Sequence, residues 1–260
     1  MLTLILYGLA CLSAFVDLAA RRRHGAALTP VLAAAGLAAH LAQMIATGLV
    51  EQRCPILARS EALSLLAWLI IVVYLIASFR SRLTALSATL PPAALVTLVT
   101  SNVLAAVLPP RALALPESGE TSLFAVHVTL ALVGVAALCV TCAASTLYLI
   151  QDRILKNKQH AAWLRALPPL ESLDRLASRS LAAGFPVLTL AIVSGSLLNA
   201  SRSGQFWSWR ADEALAVAAW TILGASLWAR LGRGWHGRRS AWLAIAGVGA
   251  GVLTMIGMFL

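Results

Sequence analysis

Long apolar segments separated by short polar connections run through the whole of this 260-residue chain. A transmembrane helix needs about 20 consecutive, mostly apolar residues. Eight segments approach or exceed that length, which predicts an all-α, polytopic membrane bundle of about eight helices in a single domain, 1–260. The predicted spans are 2–20, 29–50, 61–79, 84–107, 122–150, 180–200, 213–230 and 241–259.

Three local features modify this simple pattern. The fifth apolar segment continues unbroken well beyond the length of a span, so its helix should project out of the bilayer. Pro91 and Pro92 fall inside the fourth span and predict a kink there. Pro168 and Pro169 interrupt the chain before the sixth span, and Ser172 is placed to cap a short helix on the membrane surface.

The net charge of +10 has a topological explanation. When Lys and Arg are sorted by alternate connections, fifteen fall on one side of the bundle and five on the other. Cytoplasmic loops carry the excess of basic residues. We therefore predict an N-out/C-out protein of a bacterial inner membrane with a cytoplasmic basic segment at 153–179. This distribution favours membrane lipid over nucleic acid as the partner of the basic residues.

A tryptophan-rich connection at 201–213 is predicted on the opposite, periplasmic side. It carries Trp207 and Trp209 and is followed by two acidic residues at the start of the seventh span. Tryptophan at a membrane surface is typical of an interfacial aromatic belt. The same pair could instead form a platform for a flat hydrophobic ligand such as haem. The residues alone leave both interpretations open.

Two histidines lie within predicted spans. His40 shares a polar stripe with Gln43 and Thr47, and His127 lies one to two turns inside the outer end of the fifth span. Polar groups in the membrane should face the bundle interior, because exposing them to lipid is costly. Each histidine is a candidate either for a hydrogen bond between helices or for axial ligation of haem iron.

The other reactive patterns are uninformative or absent. Cys139 and Cys142 form a CxxC pair inside a continuous apolar helix, and Ala143 follows where covalent haem attachment needs histidine. The sequence contains neither a Walker-type phosphate loop nor a zinc-ligand spacing. We therefore predict no independent catalytic constellation.

Three further stretches resemble the cytochrome c assembly family of haem-handling membrane proteins, the CcsA/CcmC/HemX group, and most closely its eight-span YpjD-type branch. The first is the histidine-containing fifth span with its Tyr-Leu and Lys-rich end. The second is the connector LPPLESLDRL, and the third is the loop GWHGRR before the last span. The resemblance covers nearly the whole chain, and the three stretches are specific in their combination and order.

The resemblance extends to the family's tryptophan motif and implies site residues. Gly204, Trp207, Trp209 and Glu213 match that motif, whereas Ser203, Arg210 and Asp212 depart from it. In haem-delivering members one histidine precedes the loop and another follows it.

His127 matches the first of these histidines, and the last span has none to match the second. The resemblance therefore implies a b-type haem held by His127 beneath the tryptophans, with Met255 or Met258 as a second ligand. A second geometry has His40 and His127 grip one haem.

These observations give an order of functional hypotheses. The first is a haem-binding or haem-handling protein of c-type cytochrome biogenesis, acting with a haem or cytochrome-assembly partner. The alternative is a non-catalytic accessory subunit that keeps the fold without delivering haem. A small-molecule exporter is third, because His40 is the only ionisable residue near a predicted midplane.

Overall fold

The computed structural model describes residues 1–19, 28–52, 58–81, 84–107, 121–157, 168–208 and 210–259. All the elements in these ranges are α-helices, which confirms the predicted all-α class. They are α1 (Leu2–Ala19), α2 (Leu28–Glu51), α3 (Arg59–Ser81), α4 (Thr84–Ser87), α5 (Leu90–Val107), α6 (Thr121–Lys156), α7 (Leu170–Ser203), α8 (Ala211–Arg233) and α9 (Arg238–Phe259).

Seven of the described helices are long and apolar enough to cross a membrane: α1, α2, α3, α5, α6, α7 and α8. Helix α9 adds an eighth long helix of 22 residues. Large apolar side chains such as Phe15 and Val96 are more than half exposed on these helices, as suits a surface that faces lipid. The chain is therefore a multi-pass helical membrane protein. Helix α6 has 36 residues and, at ~1.5 Å per residue, is about 54 Å long, which confirms that it exceeds a bilayer core.

The predicted kink in the fourth span is a break instead. A turn at residues 88–89 separates α4 from α5, and Pro91 and Pro92 are the second and third residues of α5. The first turn of a helix has backbone N–H groups without intrahelical partners, so proline costs little there. The two prolines therefore begin a helix rather than bend one.

The predicted surface helix after Pro169 is also wrong. Helix α7 runs without interruption for 34 residues from Leu170 to Ser203, with Pro186 in its interior. Leu173, near the start of this helix, is fully buried. The apolar and small residues that follow the connector allow one long helix to form, so no separate surface element is needed.

The contacts divide the chain into two units. The first comprises residues 1–113 and 153–169, and the second comprises 114–152 and 170–260. In the first unit His40 joins three helices, because Nδ1 is 3.2 Å from the Tyr7 hydroxyl and Nε2 is 2.8 Å from Ser64 Oγ. Thr3 adds a hydrogen bond to Gln43 at 3.2 Å.

The second unit is built around an apolar layer to which four helices each contribute one residue: Leu138, Leu181, Leu223 and Val248. Helices α6 and α7 approach closely where Gly134 faces the backbone of Leu188 and Gly184 faces Ala137. A methyl group built on Gly184 would lie 3.0 Å from the Ala137 methyl carbon. Small residues at these positions allow the side chains of α6 to reach the backbone of α7.

A substitution at Gly36 tests how tightly the helices of the first unit pack. A Cβ at this position would lie 2.6 Å from the ring of Tyr7, which is fully buried and bonded to His40. We predict that Gly36→Ala lowers stability by about 1–3 kcal/mol through overpacking, measured as a lower melting temperature in detergent. Gly8→Ala is the control, because nothing lies within 4 Å of the added atom. Equal melting temperatures for the two variants would contradict this packing.

Candidate functional site

The tryptophan-rich loop leaves α7 through a glycine turn. Gly204 has φ of +73°, a left-handed conformation that a residue with a Cβ adopts only with strain. Its N–H donates to the Ala200 carbonyl at 2.9 Å, and Asn199 Nδ2 donates to the Gln205 carbonyl at 2.8 Å. The motif glycine therefore ends α7, and α7 itself holds the start of the loop.

Glu213 fixes the other end of the loop. This residue lies in the first turn of α8, and one carboxylate oxygen accepts a hydrogen bond from the Ser208 N–H at 2.9 Å while the other accepts from the Ser208 hydroxyl. Both donors are therefore satisfied by a carboxylate at the positive end of the helix dipole. The motif glutamate is a positioning residue for the segment that carries the tryptophans.

The structure describes Trp207 but not Trp209. Trp207 is partly buried and directly precedes the anchored Ser208, whereas Phe206 beside it is 65% exposed. Trp209 lies outside the described residues, and so do the side chains of Met255 and Met258, although α9 includes their backbone.

His127 projects from α6 onto α7. Its Nδ1 is 2.8 Å from the backbone carbonyl of Ala191 and 3.4 Å from the hydroxyl of Ser194. Ser194 itself donates to the same carbonyl at 2.9 Å. Because a carbonyl can only accept, the imidazole donates from Nδ1, and Nε2 carries the lone pair in the neutral ring. Among the described residues Nε2 has no hydrogen-bond partner.

Gly195 makes room for this ring. A Cβ at this position would lie 2.7 Å from His127 Cε1 and 3.0 Å from Nδ1. A distance under 3.0 Å requires something to shift, so any larger residue would move the imidazole or separate α6 from α7. Nothing in the sequence alone indicates that Gly195 faces a histidine.

His40 is in a different chemical state from His127. It belongs to the first unit, its residue is 1% exposed, and both of its ring nitrogens are hydrogen-bonded. An imidazole that uses both nitrogens in this way has no lone pair to offer a metal unless one hydrogen bond breaks. Its contacts match the hydrogen bond between helices that the sequence offered as one of two interpretations.

Comparison with known proteins assigns the chain to a family. The family model described as "Cytochrome C assembly protein" matches residues 56–260. The chain belongs to this family. The match includes His127, Gly195 and the whole tryptophan loop, whereas α1 and α2, and with them His40, precede it.

Curated relatives share a shorter region with this family member. "Cytochrome c biogenesis protein CcsA" of Synechococcus sp. (strain RCC307) is 42% identical over 78 residues, which is 30% of this chain and 25% of that protein. The protein of the same name from Prochlorococcus marinus (strain MIT 9303) is 40% identical over 88 residues, 34% of this chain and 28% of that one. The match thus spans about a quarter of each relative's length.

A solved structure shares the fold over the full chain. The structure titled "Cytochrome c Heme Lyase CcmF" aligns with 100% of this chain and 48% of its own, with a TM-score of 0.65 and 18% sequence identity. At that identity the likeness concerns the fold alone, and it agrees with the helical membrane architecture.

The anchor at Glu213 gives a testable prediction for the loop. Glu213→Ala removes the acceptor of the Ser208 N–H, so we predict at least about tenfold faster amide exchange at Ser208, as expected for loss of a charge-assisted hydrogen bond. Asp212→Ala is the matched control, because Asp212 pairs with Arg210 and not with Ser208. Hydrogen–deuterium exchange of the folded protein measures the rate at Ser208 in both variants. Equal rates would show that Glu213 does not anchor Ser208.

Proposed function

We propose that this protein is a haem-binding component of c-type cytochrome biogenesis, with His127 Nε2 as an axial ligand beneath the tryptophan loop. The membrane is the bacterial inner membrane, and the loop faces the periplasm, as the distribution of basic residues favours. The proposal rests on family membership together with the state of one imidazole ring.

The hydrogen bond from His127 Nδ1 to the Ala191 carbonyl carries the proposal. Metal-bound histidines almost always donate their other ring N–H to a carbonyl, carboxylate or water, which sets the tautomer and the ring orientation. His127 has this arrangement. Its Nδ1 is hydrogen-bonded to the Ala191 carbonyl at 2.8 Å, and its Nε2 is unpaired among the described residues. The donor set therefore fits a haem iron.

The surrounding residues have distinct roles in this proposal. Gly195 leaves the space that the imidazole ring occupies, and Glu213 anchors Ser208 next to Trp207. Trp207 and Trp209 would stack on the porphyrin, because aromatic faces pack well against a flat apolar ring. Met255 or Met258 remains the candidate for a second, weaker ligand.

This chain's own residues bind and orient the haem rather than attach it covalently. Haem supplies the redox-active iron, and the protein contributes one ligand of fixed tautomer and an apolar environment. The relatives are named for cytochrome c biogenesis, and the chain matches only a part of each. We therefore assign haem handling to this protein and leave attachment to a partner in cytochrome assembly.

The departures from the family's tryptophan motif favour a second candidate function. In this function the protein is an accessory membrane subunit that keeps the fold without delivering haem. Arg210 replaces the acidic motif residue and forms an exposed ion pair with Asp212, 3.1 Å apart, so the loop carries different charges from the family motif. This function predicts that a membrane protein partner copurifies with a chain that binds no haem.

Absorption spectra of the purified protein, oxidised and reduced, test the ligand assignment. We predict a Soret band and sharp reduced bands in the wild type after reconstitution with haem. His127→Ala should lose them and regain part of the signal with added imidazole, which can occupy the vacated position. His40→Ala should keep them, because its ring already uses both nitrogens. A spectrum unchanged in His127→Ala would contradict the proposal.

A second prediction tests ring placement without removing the ligand. Gly195→Ala forces the His127 ring to move, so haem affinity should fall by roughly tenfold, equal to about 1.4 kcal/mol. Gly249→Ala is the control within the same unit, because its added Cβ has no atom within 4 Å. Haem titration monitored at the Soret band gives both affinities, and equal values would show that Gly195 does not position the ligand.

A further inference from the structure

A polar layer crosses the second unit at the end opposite the tryptophan loop. Seven or eight residues beyond the apolar layer of Leu138, Leu181, Leu223 and Val248, each helix contributes one polar residue. At ~1.5 Å per residue this displacement is about 10–12 Å on all four helices, so the four residues share one level. They are Ser145 on α6, Asp174 on α7, Arg230 on α8 and Ser240 on α9.

The contact between Arg230 and Asp174 supports this register. Arg230 Nη1 donates to Asp174 Oδ1 at 3.1 Å and to the Asp174 backbone carbonyl at 3.3 Å. Asp174 Oδ1 also accepts from the Gly237 N–H at 3.4 Å, and Oδ2 is 3.1 Å from His236 Nδ1. Asp174 therefore joins the start of α7, the end of α8 and the connection to α9.

The layer contains buried polar atoms without hydrogen-bond partners. Arg230 is 3% exposed, yet its Nε and Nη2 have no hydrogen-bond partner in the described part of the protein. The buried hydroxyls of Ser145, Ser226 and Ser240 are likewise unpartnered there. Buried polar atoms are nearly always hydrogen-bonded, and an unpaired guanidinium nitrogen is especially costly. The layer therefore has unsatisfied hydrogen-bonding capacity next to Asp174.

An open pocket of about 670 Å³ adjoins the layer at Asp174. Its other charged or polar lining residues are Tyr148, Glu171, Arg175, Ser178, Arg179 and His236. Arg175 is paired with Glu171, and Arg230 is paired with Asp174. Arg179 has no ion-pair partner among the described residues, so the pocket keeps an uncompensated positive charge at its exposed rim.

We propose that this pocket binds a phosphate group, carried either by a lipid headgroup or by free phosphate. Arginine is the residue best suited to phosphate, because its planar fork of donors matches the phosphate oxygens. Arg179 and His236 contact the group at the rim, and Asp174, whose charge is paired with Arg230, lines the wall behind it. The site lies at the far end of the unit from His127 and is independent of haem binding.

Isothermal titration calorimetry of the purified protein in neutral detergent tests the proposal. The probes are inorganic phosphate, short-chain phosphatidylglycerol and short-chain phosphatidylcholine. Arg179→Gln should weaken binding by about tenfold, as expected for one charge-assisted hydrogen bond. Arg202→Gln is the matched control, because it makes the same charge change at the opposite end of α7 and should bind like the wild type. Binding of phosphate alone identifies the free ion, and preference for phosphatidylglycerol identifies a headgroup.

A second variant tests the pocket wall without changing its charge. Ser178→Ala removes a hydroxyl that lines the pocket. Inorganic phosphate or phosphatidylglycerol, whichever binds the wild type, should therefore raise the melting temperature of Ser178→Ala by less than that of the wild type. Absence of binding by the wild type at millimolar concentrations, equal affinities of Arg179→Gln and Arg202→Gln, or an equal thermal shift in Ser178→Ala would overturn the proposal.

Discussion

The hydrogen bond between His127 Nδ1 and the Ala191 carbonyl is the constraint on which the candidate site depends. It requires α6 and α7 to approach closely, which Gly134, Gly184 and Gly195 allow by having no side chain at the contact. The bond assigns the ring proton to Nδ1 and leaves the Nε2 lone pair for a ligand. Packing of small residues between two helices thus determines the chemistry of an imidazole.

The two ends of the four-helix unit differ in how their polar groups are hydrogen-bonded. At the loop end, backbone and carboxylate groups are paired locally, since Gly204 closes α7 and Glu213 anchors Ser208. At the other end, Arg230 and several hydroxyls are buried with donors left over. The apolar layer of Leu138 and Leu223 lies between the two ends. We propose that the two ends bind different ligands, one through an imidazole and the other through charge.

Helix positions were largely predictable because apolar length alone determines which segments can span a bilayer. The errors occurred where the same residues are compatible with two different local structures. Pro91 can kink a helix or begin one, and the residues after Pro169 can form a short helix or the start of a long one. The candidacy of His127 was visible in the sequence, but the Ala191 carbonyl and the fit of Gly195 were not, because both depend on the register of α6 against α7. The Asp174–Arg230 pair, 56 residues apart in the chain, depends on the same kind of information.

The tautomer of His127 is the most direct test of this account, because the proposed haem ligation requires a free lone pair on Nε2. Solid-state NMR of protein labelled with ¹⁵N in the histidine rings, in lipid and without haem, reports which nitrogen is protonated, and His127→Asn identifies the signals. We predict a protonated Nδ1 and a deprotonated Nε2 for His127, with the Nε2 signal lost when ferric haem is added. Protonation of Nε2, or an Nε2 signal unchanged by haem, would contradict the account.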